Sequence, residues 1–240
     1  MLPSAPVLAV IGAHFFTGDR FDPVRAAVHN VRWSSVLLVE ANPAIARHLN
    51  QSIHHANPLP ATAKGSVHVV NEGVCPGLKA SLPFYTLPPL KKTPRWASQT
   101  GSFNRRTIGK SVEILSQMNG MSAATLDAAI DSRAQHVPCG SLEELLEREA
   151  GGMPSVLQID IEGFDCRVVA AQNWCRLRPQ LLVFESFHCE HEDEVAALKS
   201  LARDCGDGKH YVANKLGMNN LAVLQSMSHT PPLLQYTLPK

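Results

Sequence analysis

Ser155–Gly163 reads SVLQIDIEG. Its first seven residues, Ser155–Ile161, are mostly apolar and run into carboxylates. An apolar run without polar alternation is the mark of a strand covered on both faces, as in a parallel sheet. Working outward, the same kind of run recurs at Val7–Ile11, Ser35–Glu40, Ser66–Val70 and Gln180–Glu185. Stretches of helical periodicity lie between: Phe21–Val31, Pro43–Ile53, Leu142–Arg148, Phe164–Gln172 and Glu192–Asp204. Asn42 is placed to cap the second of these, with Pro43 at its first helical position. Ser141 and Glu144 make an S-x-x-E capping box for the third. His210–Ala213 and Leu221–Gln225 read as a closing pair of strands. Alternating strands and helices predict a Rossmann-like, doubly wound α/β domain with a mostly parallel sheet.

The pattern weakens from Cys75 to His136, where Pro76, Pro83, Pro88, Pro89 and Pro94 interrupt it. Pro83–Leu87 fits a short strand, Trp96–Arg106 has loop composition, and Ser111–Met118 and Ala123–Ile130 fit short helices. We read 1–240 as a single domain with an irregular insertion or cover at about 76–136.

The chain has 240 residues, 22 basic and 21 acidic, for a net charge of +1. That balance argues against nucleic acid or a charged membrane surface as partner. The longest apolar runs fall far short of the ~18 residues of a membrane span. The N-terminus lacks a basic leader segment and reads as a buried strand. Six cysteines are scattered through apolar surroundings with no C-x-x-C spacing. They are expected to be buried free thiols, which points to the cytoplasm.

In an open α/β sheet, ligands bind beyond the carboxyl ends of the strands, near the switch point. Four of the five strand ends here carry a carboxylate. Gly12 follows the first strand, where a missing side chain lets backbone approach a ligand. The IGAHFFTGD that follows lacks G-x-G-x-x-G, which disfavours a dinucleotide. Glu40, after the second strand, suits the two ribose hydroxyls of an adenosine-like ligand. Glu72, after the third, could meet the adenine or ribose edge. Asp160 and Glu162 are two apart, so in a continuous strand they share a side. Such a pair calls for a sulfonium, a metal or a basic side chain. His188 suits a capping or substrate-facing role. His188-x-x-His191 is too sparse for a metal site, and no metal is expected. The remaining histidines read as surface residues.

The segments VLLVEANP, NEGVCP, CGSLEELL, VLQIDIEGFDCRVV and RPQLLVFES-x-H, in that order, resemble the FkbM-type methyltransferase family, which depends on S-adenosylmethionine. The resemblance covers roughly Val7–Gln225; within 76–136 it rests on Gly101-Ser102-Phe103. It implies a seven-stranded sheet of class I methyltransferase type and methylation of a hydroxyl on a small molecule or glycan. It implies that Gly12 and Ala13 line the cofactor, that Glu40 binds its ribose, and that Asp160 and Glu162 face the reacting methyl. Asp160 is the first candidate base and His188 the second. The family's first strand ends in an acid two residues before the glycine. Val10 stands there in this chain, and Asp19 in the following loop would compensate. The alternative reading is a catalytically silent module that keeps the fold for binding.

Overall fold

A computed structural model describes residues 6–14, 33–55, 66–77, 80–94, 97 and 100–225. The expected helix Phe21–Val31, Asp19 and Trp96 lie outside the described residues.

The main sheet has seven strands. They are β1 (Val7–Ile11), β2 (Ser35–Val39), β3 (Ser66–Val70), β8 (Val156–Ile159), β9 (Leu181–Glu185), β10 (His210–Leu216) and β11 (Asn219–Gln225), in spatial order β10-β11-β9-β8-β1-β2-β3. The first five in chain order are parallel, and β11 runs antiparallel to β9 and β10. The sheet is therefore mostly parallel. Its order reverses at β1, which lies between β2 and β8.

Both faces are covered, which explains the unbroken apolar runs. Ala9, Ile11, Leu37 and Val39 pack with Leu142, Leu145, Val168, Val169 and Ala197. These belong to α5 (Leu142–Glu149), α6 (Asp165–Ala171) and α8 (His191–Leu201). Leu8, Val10, Val36 and Leu38 pack on the opposite face with Trp33, and with Ile45 and Leu49 of α1 (Pro43–His55). Strand period two sends neighbours to opposite faces, and each face meets apolar partners.

The caps follow the sequence. Asn42 Oδ1 accepts from the amides of Ala44 and Ile45, at 3.0 and 3.4 Å. Ser141 Oγ accepts from the Glu144 amide at 3.3 Å.

The stretch after β3 is more ordered than its prolines suggest. It forms a second sheet, β4-β7-β5-β6, from β4 (Gly73–Val74), β5 (Ala80–Thr86), β6 (Gly101–Ser102) and β7 (Gln135–Gly140). Helices α2 (Arg105–Gly109), α3 (Val112–Asn119) and α4 (Ala123–Asp131) complete it. A small core of Ala97, Ile108, Val112, Leu115, Leu126 and Ile130 holds this layer together. Its strand pairings join residues far apart in sequence, such as Gly73 with Cys139, so local composition could not reveal them.

The free-thiol expectation is overturned. All six cysteines pair: Cys75–Cys139, Cys166–Cys189 and Cys175–Cys205, across 64, 23 and 30 residues. Tertiary proximity decides pairing, and linear spacing carries no trace of it. Cys166–Cys189 joins the first turn of α6 to the loop after β9. The short helix α7 (Trp174–Leu177) carries Cys175.

Candidate functional site

The carboxyl ends of β1, β2, β8 and β9 form one edge of the main sheet. At the β1 end, Gly12 has φ +82°, and a Cβ there would lie 1.7 Å from the Asp160 carbonyl oxygen. The glycine lets the β1 and β8 ends close on each other, and the Asp160 amide donates to Ile11 O at 2.8 Å. Gly12 and Ala13 both donate their amides to Val39 O at 2.9 Å, which binds the turn to β2.

Glu40 is 6% exposed. One carboxylate oxygen accepts the His14 amide at 2.9 Å and the other the Asn42 amide at 2.7 Å. Burial pushes its carboxyl above the usual range, and these two donors pull it back. Glu40 thus ties the turn after β1 to the start of α1. Each oxygen keeps acceptor capacity beyond its backbone donor. His14, with φ +45°, is not the surface histidine that its sequence context suggests. Burial lowers its pKa to about 4, leaving the ring neutral at ordinary pH.

Glu72 lies beyond β3, at the far side of this edge. Its carboxylate pairs with Arg148 of α5, and its Oε1 lies where a Cβ on Gly140 would sit, 2.6 Å away.

The β8 end departs from the strand reading. The strand stops at Ile159, and Glu162 and Gly163 take left-handed backbone angles, φ +56° and +102°. Alternation therefore does not put the Asp160 and Glu162 side chains on one side. A tight turn carries them, and Asp165 builds that turn. Asp165 is 1% exposed, and its two oxygens accept the amides of Ile161 and Gly163 at 2.9 and 3.0 Å. Burial raises its pKa to about 6, against those backbone donors. The sequence reading overlooked Asp165. An acid five residues after the strand-end Asp160, across a glycine, was the available signal.

The second layer grips the same turn. Ser102 Oγ donates to the Glu162 carbonyl at 2.6 Å and accepts the Asn104 amide at 2.9 Å. Thr107 Oγ1 lies 2.5 Å from where a Cβ on Gly163 would sit, so that residue must be glycine. Phe103 packs edge-on against Phe84 and Phe164 at 5.0 and 6.3 Å.

The loop after β9 supplies His188, whose Nε2 lies 3.2 Å from Glu162 Oε2. The hydrogen bond to Glu162 raises the imidazole pKa, against partial desolvation. Glu185, the last residue of β9, completes a group. Glu162, Glu185 and His188 each offer a ligand atom, all within 4.8 Å of one another. Burial raises Glu185 to about 7, helped by the nearby carboxylates Glu162 and Asp165. The structure thus brings Glu162 and His188 together, adds Glu185, and sets Gly12 against Asp160 and Glu40 against His14. Phe187 stands 63% exposed beside His188, with ring centroids 4.9 Å apart.

The family model for the methyltransferase FkbM domain matches residues 11–209. That is most of the chain, and the chain belongs to this family. No curated protein and no solved structure gives a significant match.

Proposed function

We propose that this FkbM-family chain is an S-adenosylmethionine-dependent O-methyltransferase acting on a hydroxyl of a small molecule or glycan. The carrying observation is the shared strand-end edge. It sets a glycine turn and a doubly anchored carboxylate beside a half-buried cluster of Glu162, Glu185 and His188. On this reading the sheet is of the Rossmann-like, class I methyltransferase type, within one domain that the segment at about 76–136 covers.

When bound, the cofactor supplies a sulfonium methyl for in-line transfer, with the C–S bond breaking as the new C–O bond forms. Gly12 and Ala13 give it backbone at close range. Glu40 accepts its ribose hydroxyls with the lone pairs that His14 and Asn42 leave open. Glu72, held by Arg148, would meet its adenine or ribose edge. Asp160 orients the acceptor hydroxyl and takes its proton, with His188 as the second base. Glu162 holds His188 in position.

The disulfides change the compartment we assign. Among the described residues no helix is long and apolar enough to cross a membrane. The cytoplasmic expectation rested on free thiols, and six paired cysteines fit an oxidising compartment instead. Alkylation of the denatured, unreduced chain should then add no label by mass spectrometry. Six labelled thiols would restore the cytoplasmic reading.

A second reading, a silent binding module, has Val10 in its favour. It is buried among Leu8 and Leu38 and offers no polar atom where the family carries an acid. Calorimetry with S-adenosylmethionine, S-adenosylhomocysteine and NAD, followed by transfer of labelled methyl to metabolite and glycan extracts, separates the readings. Binding of the first two with methyl transfer supports the enzyme; binding without transfer to any fraction supports the module. Binding of NAD alone overturns both.

A further inference from the structure

We propose that Glu162, Glu185 and His188 form a binding site for a divalent first-row transition ion of the Mn2+ or Zn2+ type. This assignment does not depend on the methyl-transfer reading; with the ion bound, His188 is a ligand and Asp160 alone is the base of that reading.

Three observations carry it. The first is geometry. Ligand atoms bound to one such ion at about 2.0–2.2 Å in tetrahedral array stand about 3.3–3.6 Å apart. His188 Nε2 and Glu162 Oε2 are 3.2 Å apart already, and Glu185 brings its oxygen within 4.8 Å of both. The second is an unmet demand. Glu185 Oε2 is shut off from solvent and has no hydrogen-bond partner among the described residues. A buried carboxylate oxygen without a donor is costly, and a cation meets that need directly. The third is charge. Glu162, Asp165 and Glu185 interact around a single imidazole, and Lys110 is the basic side chain felt at His188. A dication balances this excess of carboxylates.

The donors are also held in place. The turn bearing Glu162 is fixed by Asp165 and Ser102. The loop bearing His188 is tied to α6 by Cys166–Cys189, one residue beyond each of Asp165 and His188. Rigid supports of this kind are what a metal site requires around its ligands. One imidazole with two carboxylates suits Mn2+ or Zn2+ better than Mg2+, which prefers an all-oxygen shell with several waters. Three protein ligands leave a coordination position open, the arrangement of catalytic rather than structural sites.

The test uses the full, oxidised chain after dialysis against EDTA and then chelator-free buffer. Mn2+, Zn2+ and Mg2+ are titrated separately by calorimetry, and Mn2+ is followed by its electron paramagnetic resonance signal. One equivalent of Mn2+ or Zn2+ should bind, with Mg2+ weaker by tenfold or more. Glu185→Gln and His188→Ala should each weaken binding by at least about 10–100-fold, whereas Glu190→Gln should not. Circular dichroism confirms folding of each variant, and wild-type Mn2+ resonance stands even where a variant does not fold. No binding below about 1 mM, or binding that Glu185→Gln leaves unchanged, overturns the proposal. S-adenosylmethionine affinity measured in EDTA is a separate readout, so loss of one function does not mask the other.

Discussion

Glu40 and Glu185 are both acids at the carboxyl end of a parallel strand; Glu40 is buried, and Glu185 is half-buried with one oxygen shut off from water. Glu40 gives each carboxylate oxygen a backbone donor, from His14 and from Asn42. Glu185 keeps a buried oxygen with no donor and faces Glu162 and Asp165 instead. The Glu40 carboxylate is thus satisfied by backbone donors on both oxygens, and the Glu185 carboxylate is not. A satisfied carboxylate organises backbone and can still receive a ligand's hydroxyls. An unsatisfied acidic cluster calls for a proton or a cation from outside. Equivalent positions on one sheet therefore do different work, and the number of donors aimed at each acid sets the difference.

The largest effect expected lies at the β8 end. Asp160→Asn keeps the shape and removes the charge, and turnover should fall by ~10²–10⁴ if Asp160 takes the acceptor proton. Cofactor affinity, measured by calorimetry, should hardly move. Normal turnover with a lower melting temperature would instead make Asp160 structural and erase the functional contrast.

Next comes the joint between the two ends. Gly12→Ala puts a methyl group into the Asp160 carbonyl and leaves a side chain at φ +82°. It should cost at least about 2 kcal/mol, or roughly 2–4 °C in Tm for each kcal/mol in a chain of this size. A variant as stable as the parent would mean that β1 and β8 do not meet as described.

Glu40→Ala tests the satisfied end and should harm two properties together. The His14 and Asn42 amides lose their acceptor, lowering stability by about 1–3 kcal/mol. Affinity for S-adenosylmethionine should fall tenfold or more by calorimetry, since a charge-assisted hydrogen bond contributes about 1.5–3 kcal/mol. Lower stability with unchanged affinity would leave Glu40 as a backbone tie alone.

The smallest effect sharpens the contrast through pH. Glu185 titrates at about 7 in the folded chain, above the ordinary value of 4.5. The folded form then holds the extra proton between those values, so its stability falls as pH rises through that window. In EDTA, Glu185→Gln should match the parent below about pH 4.5. Above pH 7 it should be more stable, by about 1–2 kcal/mol. Equal melting curves at pH 8 would show that Glu185 has a donor after all, and the two ends would no longer differ.

The main sheet was legible from sequence because burial on both faces writes itself into composition. SVLLV and VLAVI have no polar side to show, and Asn42-Pro43 and Ser141-x-x-Glu144 mark helix starts through bonds spanning two or three residues. The acids beyond the strands were legible for the same reason: each interrupts an apolar run. Asp160, Glu162 and Glu40 could thus be named as candidates, and all three fall within residues 11–209, which the family model matches.

Tertiary structure alone decided the rest. Whether Asp160 and Glu162 share a side depended on where β8 stops, and that is set by Asp165, Ser102 and Thr107 closing around the turn. Glu185 gained its importance only when β9 lay beside β8 and brought it near Glu162 and His188. The second sheet and the three disulfides join positions up to 66 residues apart. Periodicity, caps and strand ends are local properties, fixed by the backbone over a few residues. Donor counts at a carboxylate, the pairing of two thiols and the meeting of ligands from two strands depend on distances that exist only after the chain has folded.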